Sequence, residues 1–313
     1  MPYPGDFVQQ AAASPPAQHD EPPGWFSAAL AAPVEDRVVQ AAGARIAYRA
    51  WGQPGSRGVL LVHGTAAHAR WWDHIAPFLA ADGLRVAALS ISGHGDSDYR
   101  ERYSMDRWAA EVMAVAADAG VTGLPFVIGH SLGGAIALQA AETYGGQLAG
   151  AAVIDTALYD EFYEGPPPAE VALAATPFGV GRTYPTREAI VARFRLVPEQ
   201  PVLPYIRQHI AALSVTVKGN GEWGWKFDQA LFSKLDGSPP ATSAGCPMAV
   251  FRAEHGLMTR GMADRFRRLA GGGAVPVTEI PVAGHHVLLD EPLSLVTGLR
   301  TLLAHWTAAT TAG

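Results

Sequence analysis

Short apolar runs alternate with longer amphipathic stretches along the chain. Residues 38–39 and 45–49 alternate like two antiparallel strands around a turn at Gly43. Helical periodicity is clear at 107–119 and 132–143. Between the helical stretches lie mostly apolar runs of four or five residues, typical of buried strands, at 58–62, 85–89, 125–128, 151–154, 248–251 and 277–280. This alternation predicts an α/β fold with a mostly parallel sheet of about eight strands and helices on both faces.

Two segments depart from this rhythm. Residues 159–235 begin near three consecutive prolines, contain two stretches of helical periodicity, end in an aromatic run and lack a buried-strand pattern. We predict that they form a mostly helical insertion between two strands of a core built from residues 34–158 and 236–313. Residues 1–33 contain seven of the 24 prolines and neither lysine nor arginine, which predicts a Pro/Ala-rich mobile N-terminal arm.

Composition excludes several classes of protein. The 313 residues carry a net charge of −6, with 23 basic and 29 acidic side chains and no basic stripe, so we expect no nucleic-acid partner. Cys246 is the only cysteine, which rules out an internal disulfide and a cysteine-rich zinc site. The sequence has neither a secretory signal pattern nor an apolar run long enough to span a bilayer. We therefore expect a cytoplasmic protein.

A candidate nucleophile lies at the end of a predicted strand. Ser131 is the centre of a Gly-His-Ser-Leu-Gly motif that follows the apolar run 126–128 and precedes a helical stretch. In this strand–turn–helix context the glycines allow a strained turn that exposes the serine hydroxyl at a helix N-terminus. A serine needs a base to take its proton. His285, in a Gly-His turn after the last predicted strand, is the better candidate base, whereas we expect His286 to pack or to face solvent.

The sequence resembles the α/β-hydrolase family, in the capped branch that includes esterases, lactonases, C–C bond hydrolases, epoxide hydrolases and dehalogenases. Five motifs carry the resemblance and occur in the family's order over nearly the whole chain. They are Val-His-Gly-Thr at 62–65, Ser-Gly-His-Gly-Asp-Ser at 92–97, Gly-His-Ser-Leu-Gly at 129–133, Val-Ile-Asp at 153–155, and Gly-His at 284–285 followed by Leu-Asp-Glu-Pro at 289–292. The resemblance implies that the insertion at 159–235 is a helical cap, or lid, over the active site.

This resemblance implies roles for the matched positions. Ser131 would be the nucleophile and His285 the general base and then acid, while the N–H groups of Thr65 and Leu132 would form the oxyanion hole. No cofactor and no metal are expected. Although His63 could be grouped with His68 and His74, no carboxylate or cysteine pattern completes a metal site.

The acid of the triad is the point at which the sequence departs from the family's commonest pattern. The usual acid follows the penultimate strand, where this chain has Gly256 at the expected position and Glu254 two residues earlier. Some family members take the acid from the strand after the nucleophile helix, and Asp155 occupies that place. We favour Asp155, with Glu254 as the alternative.

A serine nucleophile favours attack on a carbonyl and an acyl-enzyme intermediate. We therefore predict a serine hydrolase that cleaves a carboxylic ester or lactone of moderate, largely apolar size. A C–C bond hydrolase of a ring-cleavage product is the alternative, and a ligand-binding receptor on the same fold is a third hypothesis. Four tryptophans are candidate pocket residues: Trp71, Trp72, Trp223 and Trp225.

Overall fold

A central sheet of eight strands forms the body of the molecule. The computed structural model describes residues 21–157, 181–236, 241, 243–269 and 275–311. Its strands are β1 (Glu35–Ala41), β2 (Ala44–Trp51), β3 (Arg57–Val62), β4 (Arg85–Leu89), β5 (Thr122–His130), β6 (Gly150–Ile154), β7 (Val215–Val217), β8 (Trp223–Trp225), β9 (Met248–His255) and β10 (Val277–Gly284). The sheet order is β1-β2-β4-β3-β5-β6-β9-β10, and β7 pairs with β8 in a separate two-stranded sheet.

Seven of the eight strands of the main sheet run in the same direction, and β2 runs opposite to them. The β1–β2 and β2–β4 pairs are antiparallel, and every other neighbouring pair is parallel. The helices are α1 (Gly24–Leu30), α2 (Ala76–Ala80), α3 (Met105–Asp118), α4 (Leu132–Tyr144), α5 (Arg187–Val191), α6 (Pro204–Leu213), α7 (Arg260–Leu269), α8 (Val287–Asp290) and α9 (Pro292–Thr311). The predicted α/β fold with about eight, mostly parallel strands is confirmed.

Helices cover both faces of the sheet, which explains why its strands are apolar at consecutive positions. Val59 and Leu61 of β3 belong to one core cluster together with apolar residues of α2 and α9. Leu60 and Val62 belong to the cluster on the other face, with residues of α3, α4 and α7. All four side chains are fully buried. A strand between two helical layers has no polar face, so it loses the polar–apolar alternation of a solvent-exposed strand.

The described part of the segment between β6 and β9 contains two helices and a hairpin. Residues 159–180 of the predicted cap lie outside the described residues. The structure has α5 and α6 where the sequence predicts helices, but the aromatic residues of β8 pair with β7, although the sequence predicts no strand there. The physical reason is that this hairpin has only two strands, so it lacks the continuous apolar run that identifies a strand buried on both faces.

The predicted N-terminal arm is partly helical. Its first 20 residues lie outside the described part of the chain, but α1 begins at Gly24 and packs on the body. The ring of Phe26 is buried and contacts His74 and, on α6, Tyr205. Phe26 and Ala29 present one apolar helix face to the protein, and the mobility of the arm stays a prediction.

Among the helices formed by the described residues, none has the combination of length and apolar character that crossing a bilayer requires.

Candidate active site

Ser131 lies in a strained turn between β5 and α4. Its backbone has φ 55° and ψ −119°, a conformation that residues other than glycine rarely adopt. The neighbouring glycines leave no room for a side chain: a Cβ on Gly129 would lie 1.9 Å from the Gly133 carbonyl oxygen, and one on Gly133 would lie 2.3 Å from that of Val62. The turn therefore packs directly against the backbone of β3 and holds the serine hydroxyl at the carboxyl end of the sheet.

His285 reaches Ser131 from the loop after β10. Its Nε2 lies 3.1 Å from Ser131 Oγ, and the histidine is 96% buried, with 4% of its surface exposed. The two residues are 154 positions apart in the chain. They meet because β5 and β10 are parallel strands whose carboxyl ends share one edge of the sheet.

Asp155 completes a chain of hydrogen bonds with His285 and Ser131. Its Oδ2 lies 2.8 Å from His285 Nδ1, and its side chain is fully buried. An ionised carboxylate only accepts hydrogen bonds, so His285 carries a proton on Nδ1 and turns the lone pair of Nε2 towards the serine hydroxyl. The backbone N–H groups of Ala253, Leu257 and Met258 also donate to the Asp155 carboxylate, which satisfies its oxygens inside the protein.

The alternative acid, Glu254, lies elsewhere. Its Oε2 accepts a hydrogen bond of 2.8 Å from the Val282 N–H, and its side chain is substantially exposed. Gly256 occupies the usual acid position. No side chain fits there, since a Cβ would lie 2.2 Å from Asp155 Oδ2. The carboxylate of Asp155 thus fills the space into which a side chain at position 256 would project.

His130 is a residue of the site that the sequence analysis did not single out. Its Nε2–H donates to the backbone carbonyl of His285 at 2.8 Å, and the two rings are 4.8 Å apart. Burial, together with the neighbouring His285, lowers the pKa of His130 to about 3, so His130 stays neutral at pH 7. In the sequence, its position inside the Gly-His-Ser motif could have identified His130 as a residue of the site. The role visible in the structure is to hold the backbone that carries the base.

Two backbone amides border the space in front of Ser131. Leu132 is the first residue of α4, where an N–H has no partner within the helix. Thr65 follows Gly64, at which a Cβ would approach the Ser131 side chain to 3.1 Å. Among the described residues, neither the Thr65 N–H nor the Leu132 N–H donates a hydrogen bond. His63 stiffens this turn, because it donates through Nδ1 to Gly64 O and accepts through Nε2 from the Ile91 N–H.

A largely apolar cavity opens beside Thr65. The empty space in and in front of it amounts to about 560 Å³, open solvent included. Of the four predicted pocket tryptophans, Trp71 and Trp225 line it, whereas Trp72 is fully buried in the core and Trp223 does not border the cavity. The other lining residues are Thr65, Ala66, Phe194, Arg195, Leu196, Val197, Ser214, Phe227 and His286. The sequence analysis missed the contribution of Phe194, Leu196 and Val197, which belong to no motif and reach the cavity only through the fold.

Several buried histidines surround the site. Nitrogen atoms of His130, His285 and His286 lie within 4.8 Å of one another. Both nitrogens of His285 already have protein partners, and the Nε2–H groups of His130 and His286 donate to backbone carbonyls. The three histidines weighed as ligands in the sequence are bound to separate partners: His63 to Gly64 O, His68 to Ser214 Oγ and His74 to Leu288 O. The expectation of a metal-free site stays a prediction.

Comparison with known proteins agrees with this architecture. The model of the alpha/beta hydrolase family matches residues 59–297, and the chain belongs to that family. Lipase LipV of Mycobacterium tuberculosis is 31% identical over 182 residues, which cover 56% of this chain and 64% of that protein, less than two thirds of its length. Esterase Rv0045c of the same organism is 27% identical over 270 residues, 84% of this chain and 87% of that protein.

A solved structure shows the same fold at lower sequence identity. The crystal structure of E-2-(acetamidomethylene)succinate hydrolase superposes with a TM-score of 0.70 and 18% identity, and the match covers 87% of this chain and all of that one.

Proposed function

We propose that this protein is a serine hydrolase that cleaves a carboxylic ester or lactone through an acyl-enzyme. The observation that carries the proposal is the hydrogen-bonded series Asp155–His285–Ser131, with distances of 2.8 and 3.1 Å, next to an apolar cavity. The two mycobacterial relatives are named as a lipase and an esterase, which supports the same class of reaction.

The geometry accounts for each step of such a reaction. His285 Nε2 takes the proton of Ser131 as Oγ attacks the carbonyl carbon, and the C–O bond of the substrate then breaks as His285 returns that proton to the leaving alkoxide. Water repeats the sequence on the acyl-enzyme, releasing the carboxylic acid and restoring Ser131. In both steps the N–H groups of Thr65 and Leu132 stabilise the charged oxygen, each contributing ~3 kcal/mol.

The cavity indicates the kind of acyl or alcohol group that fits. Its walls are mostly aromatic and aliphatic, with Trp71 on the core side and Phe194 and Trp225 on the segment between β6 and β9. Burial of apolar substrate surface is worth about 25 cal/mol per Å², so these walls favour an apolar group over a charged one. We propose that this segment acts as the cap because it supplies one wall of the cavity.

A series of p-nitrophenyl esters from acetate to decanoate tests the proposal, with Ser131→Ala as the blank. We expect turnover that depends on Ser131 and has an optimum of chain length, because the cavity has a finite depth. The Ser131→Ala protein should remain folded, as judged by circular dichroism, and lose nearly all turnover.

The same experiment separates the possible outcomes. Full activity of Ser131→Ala contradicts the mechanism. Labelling of Ser131 by a fluorophosphonate without ester turnover would retain the nucleophile but contradict simple esters as substrates, and lactones would be assayed next.

A further inference from the structure

A cluster of polar groups connects the loop that carries His285 with the segment between α5 and α6. Asp290, at the end of α8, accepts two hydrogen bonds on the same oxygen: Oδ2 lies 2.6 Å from the Gly284 N–H and 2.7 Å from Gln200 Nε2. The other end of the Gln200 amide, Oε1, accepts from the His286 N–H at 2.8 Å. The backbone N–H groups on either side of His285 are thus held by one carboxylate and one carboxamide.

The packing around this cluster is close. A Cβ on Gly284 would lie 2.7–2.8 Å from the amide group of Gln200, so the Gln200 side chain lies directly on the backbone of Gly284. Two further hydrogen bonds tie the same segments together: His286 Nε2–H donates to Val197 O at 3.1 Å, and the Leu203 N–H donates to Leu289 O at 3.1 Å. The His285 loop therefore meets residues 197–203 at several fixed points.

We propose that Gln200 and Asp290 are positioning residues, and that the segment preceding α6 thereby holds His285 at hydrogen-bonding distance from Ser131. Neither residue contacts the serine; both act through the backbone at 284 and 286. The inference rests on the proposed function, since it assigns a task to these residues in the proton transfer from Ser131. It also means that displacement of the cap segment disturbs the base as well as the pocket wall.

The arrangement can be tested by replacing the Asp290 carboxylate with a neutral side chain. Asp290 Oδ1 is buried and has no hydrogen-bond partner in the described part of the chain. Burial raises the pKa of Asp290 to about 6, with the nearby Glu291 adding to the rise and backbone amides of Gly284, Asp290 and Glu291 opposing it. Because both functional hydrogen bonds end on Oδ2, the single oxygen of a neutral amide can also accept both of them.

The first experiment compares kcat for the best p-nitrophenyl ester in Gln200→Ala, Asp290→Ala and Asp290→Asn. We expect kcat to fall about 10- to 100-fold in both alanine variants, with KM little changed, because a misplaced base slows proton transfer without altering the pocket. Asp290→Asn should stay within a few-fold of the wild type. Glu199→Ala is the matched control, since this exposed neighbour of Gln200 should leave kcat unchanged.

The second experiment uses Gln200→Glu. A carboxylate placed 2.7 Å from Asp290 requires a shared proton, so we expect kcat of this variant to fall as the pH rises from 6 to 8. Gln200→Ala should show no such additional fall. Thermal unfolding of each variant establishes that the proteins compared are folded.

The outcomes distinguish this inference from the proposed function. If the wild type hydrolyses esters and the folded alanine variants match its kcat, the positioning role is overturned while the function stands. The role is also overturned if Asp290→Asn falls as far as Asp290→Ala, because then an acceptor oxygen is not what Asp290 supplies. If the wild type hydrolyses no ester, the rate of fluorophosphonate labelling of Ser131 replaces kcat in the same comparison.

Discussion

Asp155 and Gly256 are complementary at the scale of single residues. They follow neighbouring parallel strands, β6 and β9, and only one side chain fits between the loops. Asp155 has φ +42°, a strained backbone conformation for a residue other than glycine, and in this conformation its carboxylate meets Nδ1 of His285. Of the three backbone N–H groups that donate to this carboxylate, that of Ala253 belongs to β9, and those of Leu257 and Met258 belong to the loop after it. The loop that lacks the acid therefore still contributes to holding it.

We predict that Asp155→Asn lowers kcat by ~10³–10⁴-fold, because an amide in this position stabilises the wrong tautomer of the histidine. Glu254→Gln, which alters an exposed carboxylate, should stay within about twofold of the wild type. The measurement is kcat for the ester series in both proteins. Near-normal turnover of Asp155→Asn together with collapse of Glu254→Gln would reverse the assignment.

The geometry also permits a rescue experiment. Removing the side chain in Asp155→Gly opens the space next to Gly256, so the double variant Asp155→Gly/Gly256→Asp places a carboxylate on the other loop. We expect the double variant to recover about tenfold or more of the kcat lost in Asp155→Gly, since either loop can present an acceptor to His285 Nδ1. Identical kcat values for the single and double variants would show that the backbone of 256 cannot direct a carboxylate to the histidine.

At the scale of elements, the two tryptophans of strand β8 differ in their position relative to the cavity. Trp223 and Trp225 are two positions apart and so start on the same side of an ideal strand, yet only Trp225 lines the cavity. Trp223 is at the end of the pairing, where its backbone also exchanges hydrogen bonds with Tyr184. The aromatic run in the sequence indicates neither which ring faces the cavity nor where the hairpin ends.

We predict that Trp225→Ala extends the cavity and moves the optimum of the p-nitrophenyl ester series to longer chains. Each additional buried CH₂ contributes about 0.8 kcal/mol, so room for two more should raise kcat/KM for the longer esters about tenfold relative to the shorter ones. Trp223→Ala is the matched control and should leave the optimum in place. If the chain-length optimum shifts in Trp223→Ala and not in Trp225→Ala, Trp223 forms the cavity wall and the prediction is wrong.

At the scale of the whole molecule, buried histidines make stability depend on pH. Burial lowers the pKa of His74 and His94 to about 4 and that of His130 to about 3. The pKa values of His63, His68 and His286 are also well below the usual value for the same reason. These side chains are neutral in the folded protein over a pH range in which the unfolded chain, with a pKa near 6.5, takes up protons.

We therefore expect the free energy of unfolding to be nearly constant above pH ~7.5 and to fall as the pH drops from about 6.5 towards 4. Each buried histidine contributes up to about 1.4 kcal/mol per pH unit to that loss. Asp290 acts in the opposite direction between about pH 6 and 4, because its raised pKa lets the folded state bind a proton first. Burial also raises the pKa of Glu111, which acts in the same direction as Asp290. Two such groups against six histidines leave the net effect destabilising.

Urea unfolding at pH 8, 7, 6 and 5 measures this dependence. His305→Gln, which replaces an exposed histidine of α9, should leave the profile unchanged. A free energy of unfolding that stays constant from pH 7.5 to 5 would contradict the prediction.

The sequence by itself determined the features whose physical requirements are local. The apolar runs specify strands buried between two layers, and the glycines around Ser131 specify a turn that only small residues allow. Each of these requirements is met within a few neighbouring positions. The α/β fold and the family were therefore predictable before any contact between distant residues was known.

The tertiary structure decided what depends on how distant elements meet. Asp155 and Gly256 are separated by about a hundred positions, and only the pairing of β6 with β9 shows that one fills the space of the other. Gln200 and Asp290 carry no motif in common, and they meet because the chain before α6 packs on the His285 loop. Such contacts leave no local pattern, because their energies come from the relative placement of whole elements.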